Sequence, residues 1–435
     1  MVTNKILIKN TEIIDPGKDK NFTGDLLVDN GKIVGTGPLG SFDEEAKGAQ
    51  IVDATGMITA PGFIDTHSHF RDPGFTYKED IFSGAKAAAA GGYTGIIMMA
   101  NTDPAIDSVK VLKEVLDKGK ETPIEIMSAA NVTKHMDGRI PVDMKALRQA
   151  GAMVFTDDGK PIMDESLIEK VMKKAAELKV IISFHEEDPA YVKTAGINNG
   201  KASQAFGIEG ADRKAEYTMV KRDIRIAEET GASILIQHIS AKESVELVRQ
   251  GKKRGVKVYA EAAPHHFSLT EEDLIAAKGT AEETMYKMNP PLRTEEDRQA
   301  IIRGLADGTI DMIATDHAPH SSEEKNRRPF KNAPSGITGL ETALSLGIMH
   351  LVDPGYLSME RLMELMSLKP AQVYGIKGGS LEKGNEANLV IFDPEVEYTF
   401  NRHHSKGDNS PWRGRDLKGS VIMTIAGGKV AFSRL

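Results

Sequence analysis

The chain has 435 residues, 40% of them hydrophobic and 27% charged, which is enough to bury a full core and excludes a disordered or fibrous protein. Its net charge of −8 is spread over interspersed signs, so nucleic acid and anionic membrane surfaces are poor partners and a small molecule is the better expectation. With no cysteine there are no disulfides or thiolate ligands, and any metal must rest on His, Asp, Glu or a modified Lys.

The opening MVTNKILIKNTEIID has no long apolar core, and no stretch of about 18 apolar residues occurs. Secretion and membrane spanning are therefore not expected, and the cytoplasm is the default location. The first 60 residues read as short strands: Ile6-Leu7-Ile8, then Asp25-Leu26-Leu27-Val28, the turn Asp29-Asn30-Gly31-Lys32, and Ile33-Val34. Asn-Gly between apolar runs signals a hairpin. The last 55 residues are similar, with 387–392, 421–425 and the turn Ala426-Gly427-Gly428-Lys429. Neither end alone can bury a sheet face, so residues 1–60 and 376–435 are expected to join in one small composite β-sandwich domain.

Between them lie eight buried apolar runs, at 62–66, 95–100, 124–127, 152–156, 180–184, 233–237, 256–260 and 311–315, each followed by helical spacing. In one such helix Leu167, Val171, Lys174 and Leu178 are expected to share a face. Eight β-then-α units predict an α/β fold, a (β/α)₈ TIM-type barrel over residues 61–375.

Active sites of such barrels gather at the carboxyl ends of the strands. Metal-capable residues stand there repeatedly: His67 and His69 after the first run, Asp157 and Asp158 after the fourth, His185 after the fifth, His238 after the sixth and Asp316 after the eighth. His67 and His69 alternate in a strand-like segment, so both can point to one ion. A lone histidine at a strand end is more often a core or surface residue, but five independent strand ends make convergence the better explanation. The set exceeds what one tetrahedral zinc needs. Two Zn²⁺ ions are expected, one on His67, His69 and Asp316, the other on His185 and His238, with an aspartate of the 156–159 turn between them. Paired metals activate water and polarise the carbonyl it attacks, which is hydrolysis of an amide or ester.

The segment Gly62-Phe63-Ile64-Asp65-Thr66-His67-Ser68-His69-Phe70-Arg71-Asp72-Pro73-Gly74 resembles the first-strand signature of the amidohydrolase superfamily in its dihydroorotase form. Ala100-Asn101-Thr102, Met288-Asn289-Pro290-Pro291-Leu292-Arg293, Ala314-Thr315-Asp316-His317-Ala318-Pro319-His320 and Gly384-Asn385-Glu386-Ala387-Asn388-Leu389-Val390 extend the resemblance over essentially the whole chain. Many relatives bridge their metals with a carboxylated lysine, where this chain has Asp157-Asp158-Gly159. It is similar in this to the bacterial type with a bridging aspartate, for which Asp158 is the better candidate, and it departs from hydantoinases and allantoinases.

The resemblance implies reversible interconversion of (S)-dihydroorotate and N-carbamoyl-L-aspartate in pyrimidine synthesis. It implies that Arg71, with Asn101 and His320, holds the substrate carboxylate, and that Asn289 and the backbone of Ser335 and Gly336 meet the ring amides. Asp316 would add the catalytic acid–base role to metal ligation. Another cyclic-amide hydrolase is the alternative within the class. A silent structural homologue is the alternative outside it, although such homologues typically lose ligands and all six proposed positions are filled here. A homodimer is the commonest assembly for such a chain, and association with aspartate carbamoyltransferase is left open.

Other residues have plainer expectations. His135, His350, His403 and His404 read as surface or packing residues, and His265 and His266 as support for ligands. His317 is expected to orient the barrel mouth. Asp65 is either support near the metal or the cap of a turn. Met98, Met99 and Met312 read as core filling. The polar segment 321–334, with Glu323-Glu324-Lys325 and Asn326-Arg327-Arg328, reads either as a solvated charge run or as a lid over the site.

Overall fold

The computed structural model describes residues 5–18, 20–327, 329–401 and 403–435; Arg328 of the polar segment lies outside them. Five strands come first: β1 (Lys5–Asp15), β2 (Lys20–Asp29), β3 (Lys32–Gly37), β4 (Gln50–Asp53) and β5 (Ile58–Pro61). Eight follow in the middle of the chain: β6 (Phe63–Ser68), β7 (Tyr93–Met98), β8 (Glu125–Ala130), β9 (Val154–Phe155), β10 (Ile181–Phe184), β11 (Ser233–Ile236), β12 (Val258–Ala262) and β13 (Met312–Ile313). Three close the chain: β14 (Leu389–Thr399), β15 (Asp416–Ala426) and β16 (Lys429–Ser433).

Strands β6 to β13 lie side by side in chain order, every pair parallel, with helices in the connections. The sheet closes where the chain beyond β13 returns to β6: His69 N–H donates to His317 O (2.8 Å), and Ser68 bridges His317. Asp65 tightens the same seam, accepting Thr315 N–H (2.8 Å) and Thr315 Oγ–H (2.6 Å). It also accepts the N–H of His67 (3.5 Å), so support beside a proposed ligand and capping of a turn, the two roles expected of it, meet in one carboxylate. This is the expected barrel, since eight strands are the number whose interior side chains just fill. β8 runs three residues beyond the apolar run at 124–127, through Ser128, Ala129 and Ala130, all fully buried. Small residues suit a crowded interior but carry little hydrophobic signal.

The helix Glu165–Leu178 begins at Asp164, whose carboxylate accepts the N–H groups of Ser166 and Leu167. It buries Leu167, Ile168, Val171, Met172 and Ala175. Lys174 is not on that face, because its ammonium pairs with Glu177 (2.8 Å) in solvent. Met98, Met99 and Met312 are core, each at most 2% exposed.

The two chain ends meet in one mixed eight-stranded sheet, in which β5 pairs with both β1 and β14 and β4 adds beside β1. The far edge strand β3 comes back to the segment before β14, where Ile33 N–H donates to Asn385 O (3.0 Å) and Gly384 N–H to Ile33 O (2.8 Å). The sheet therefore wraps around an apolar filling that includes Ile6, Ile8, Leu26, Val28, Leu389 and Ile425. Its other contact is with the barrel: Val390, Phe392 and Val421 belong to the same core as Phe63, Ala87 and Tyr93.

Candidate active site

The loops that leave the carboxyl ends of β6, β7, β9, β10, β11 and β13 converge on one cavity of about 220 Å³. Eleven of the twelve residues expected from sequence line it, and the twelfth, His67, is buried beneath at 1% exposed. Three of them, Arg71, His238 and Asp316, hold left-handed backbone (φ 57°, 25° and 45°), which a non-glycine residue keeps only where its surroundings dictate it.

At the centre, His69 Nε2 is 2.9 Å from Asp316 Oδ1 and 3.6 Å from Asp158 Oδ2. His67 Nε2 faces the same two carboxylates at 3.5 and 3.7 Å. On the other side, His185 Nδ1 is 3.1 Å from His238 Nε2 and 3.5 Å from Asp158 Oδ1. The groups His67, His69, Asp316 and His67, Asp158, His238 each offer ligand atoms within 4.8 Å of one another. Asp158 thus stands between the two halves. Its neighbour Asp157 turns away, accepting the N–H groups of Val132 (2.9 Å) and Thr133 (3.2 Å) and the Thr133 hydroxyl.

This donor set fits a divalent metal. Glu261 Oε1 lies 2.6 Å from His67 Nδ1, which keeps a proton on that side of the ring and leaves Nε2, buried without a hydrogen-bond partner, facing Asp158 and Asp316 as the nitrogen that could take a metal. Burial works against charge on His67, but Glu261, Asp316 and Asp158 override it and hold the imidazole well above its ordinary pKa. Burial likewise opposes ionisation of Asp158, and His185 and His67 hold it well below the usual range all the same. Burial, with the charges of His185 and His67 beside it, pushes His238 far down. The carboxylates favour positive charge at the centre, and a metal cation bound there would take the place of imidazole protons.

Around the centre, Asn101 spans two of these side chains, its Oδ1 3.0 Å from His69 Nδ1 and its Nδ2 donating to Asp158 Oδ2 (2.9 Å). Asn289 donates to Glu187 (2.6 Å), and its own carbonyl oxygen is buried without a partner. His320 Nε2 lies 2.8 Å from Ser335 O, and burial together with Arg71, Lys325 and Lys78 pushes its pKa down to about 2. Arg71 donates only to Pro319 O (3.4 Å), and among the described residues no carboxylate pairs with it.

The sequence did not reveal Glu261, which fixes His67, or Glu187, which holds Asn289 and sits 3.6 Å from His185 Nε2. Glu187 follows His185 by two residues, so the period-two signal that linked His67 to His69 could have found it. Glu261 carries no such signal. His265 and His266 lie outside the cluster, and His266 Nε2 meets Pro290 O at 3.0 Å, beside Asn289. His317 bonds Glu79 (3.3 Å) at the barrel mouth.

The chain belongs to the amidohydrolase family, which it matches over residues 58–431. Its relatives include the dihydroorotase of Clostridioides difficile strain 630, 50% identical over 98% of this chain and all of that one. The dihydroorotase of Clostridium acetobutylicum is 46% identical over 98% and 99%. Among solved structures, a D-hydantoinase (dihydropyrimidinase) from Thermus sp. superposes with a TM-score of 0.83 at 27% identity, covering 98% of this chain and 95% of that one. The dihydropyrimidinase of Brevibacillus agri shares the fold, with a TM-score of 0.85 at 24% identity over 99% and 95%.

Proposed function

We propose that this chain is a dihydroorotase that interconverts (S)-dihydroorotate and N-carbamoyl-L-aspartate in pyrimidine synthesis. The observation that carries the proposal is Arg71, a guanidinium at the cavity wall with no carboxylate partner among the described residues. A cation withdrawn from water needs an anion, and dihydroorotate brings one in its exocyclic carboxylate. Hydantoin and allantoin have no such group. The relatives named dihydroorotase, alike over nearly the full chain, support the same reading.

In this reading His67, His69 and Asp316 would hold one zinc ion and His185 and His238 a second, with Asp158 available to both. Zinc bound there supplies Lewis acidity, making water nucleophilic at neutral pH and polarising the carbonyl under attack. The residues do the rest. Arg71 binds the carboxylate, with Asn101 and His320 beside it. The free side-chain carbonyl oxygen of Asn289 accepts a ring N–H, and the Ser335–Gly336 backbone lines the same cavity. Asp316 takes a proton from the attacking water and returns it to the ring nitrogen as the bond to carbon breaks; in cyclisation it removes the proton from the carbamoyl nitrogen.

The test is one preparation assayed for metal and for ring opening of dihydroorotate, hydantoin and allantoin. Two zinc ions per chain and turnover of dihydroorotate alone are expected, and preference for hydantoin or allantoin refutes the assignment. Homodimer assembly and association with aspartate carbamoyltransferase are separate questions from this reading, and sizing the protein alone and with that enzyme answers both. Among the described residues no helix is long and apolar enough to cross a membrane, which is compatible with the cytoplasmic location such an enzyme would have.

A further inference from the structure

Lys325 is fully buried, and Lys287 is 3% exposed. Among the described residues neither pairs with a carboxylate. Both ammonium groups are instead satisfied by main-chain carbonyls. Lys325 Nζ donates to Gly336 O (2.6 Å), Lys287 O (3.0 Å) and Pro334 O (3.1 Å). Lys287 Nζ donates to Ala333 O (2.7 Å), Lys331 O (3.0 Å) and Phe330 O (3.2 Å), and lies 5.1 Å from the centre of the Phe330 ring.

Burying an ammonium is costly unless every donor is met. Here each lysine uses all three of its donors, and the acceptors belong to two segments only. One is the loop 321–336, whose part 321–334 is expected from sequence to be a solvated run or a lid. The other is the stretch around 287, two residues before Asn289. The lysines cross between them: Lys325 reaches from the loop to the carbonyl of residue 287, and Lys287 reaches from that stretch into the loop. Gly336 N–H completes the tie, donating to Lys287 O (3.0 Å).

We infer that Lys325 and Lys287 are positioning residues that set the width of the substrate cavity by stapling the Ser335–Gly336 wall to the Asn289 wall. The inference rests on the reading above, in which those walls grip the substrate ring. Of the proposed metal ligands only Asp316, which precedes this loop after β13, shares its segment; His67, His69, Asp158, His185 and His238 follow β6, β9, β10 and β11, and none of them contacts either lysine ammonium. Substrate affinity depends on the staples, because a loop that swings away removes one side of the grip and costs entropy to recover.

The test compares Lys325→Met with Lys325→Gln, side chains of similar length of which only glutamine keeps N–H donors, in the full-length metal-loaded protein. Amide exchange of residues 321–337, metal content, kcat and KM are measured. In Lys325→Met the loop is expected to exchange at least tenfold faster while the barrel strands do not, metal content is unchanged, and KM rises about tenfold with kcat within threefold. Lys325→Gln falls between it and the wild type. Should the methionine variant fail to accumulate, the glutamine variant against wild type gives the same comparison with a smaller shift. Equal behaviour of the two variants shows a packing effect and overturns the inference, as does unchanged loop exchange or faster exchange throughout the barrel. Amide exchange reads the staples even if the wild type turns over no dihydroorotate, so failure of the inference and failure of the proposed activity are separable.

Discussion

At 2.6 Å from His67 Nδ1, Glu261 decides which nitrogen of that ring carries the proton and therefore which one can hold a metal. Glu261→Gln is expected to weaken zinc binding by roughly 10- to 100-fold, as measured by competition with a chelator. Unchanged affinity removes Glu261 from the site. Asp316→Asn tests the acid–base assignment: kcat is expected to fall by about 10² to 10⁴ while dihydroorotate still binds. Near-normal turnover with metal bound refutes that role. Away from the site, burial pushes Glu341 up to about 7 even though it accepts the N–H groups of His404 and Ser405. The folded chain then holds this proton more tightly than the unfolded one, whose carboxyl titrates near 4.5. Its stabilising contribution is complete below that value and is lost as pH rises to about 7. Glu341→Gln keeps the acceptor and removes the titration, so it is expected to gain at most about 3 kcal/mol over wild type at pH 8 and nothing at pH 4. Denaturant unfolding at both pH values measures this, and an equal gain at the two rejects it.

Loops carry the site, and their shapes rest on a few backbone positions. Gly74 (φ 98°) ends the turn that presents Arg71, and a Cβ there would lie 2.2 Å from Asp103 O, a backbone atom in the next βα loop. Gly74→Ala therefore has to displace one loop or the other. It is expected to cost about 1–3 kcal/mol of stability and to raise KM more than it lowers kcat, with zinc content unchanged. Unfolding and steady-state kinetics together check it, and a variant with wild-type KM shows that the turn does not govern Arg71. The segment 321–334 shows what periodicity could not convey. A run of Glu, Lys, Asn and Arg reads as solvated, yet Lys325 points inward and ends fully buried, because three carbonyls from folded neighbours replace its water. The strands were easier to read. β6 to β13 overlap the apolar runs one for one, since strands buried on both faces must be apolar at nearly every position.

At the scale of the whole molecule, the barrel and the composite sheet share one apolar core, and Thr424 of β15 donates to Ala89 O (2.7 Å) in the helix Ile81–Ala90. We place the division of the chain at 1–60 with 376–435 against 61–375. A chain cut after residue 375 would uncover Phe63, Ala87 and Tyr93, and it is expected to aggregate where the full chain stays monodisperse in light scattering. A soluble, folded 1–375 fragment rejects this dependence. The sequence by itself determined the order of the eight barrel strands, the meeting of the chain ends and which imidazoles and carboxylates stand at the strand ends, but not β4 or β5, the strand through which the two ends join. Apolar runs and strand-end residues are local features, and a parallel barrel brings all its strand ends to one rim. Only the tertiary structure decided that Asp158 faces the centre while Asp157 caps Thr133, that Glu261 holds His67 across 194 positions, and that two lysines close a loop on carbonyls. Each of those depends on distance and direction between segments far apart in the chain, and spacing along a sequence does not encode them.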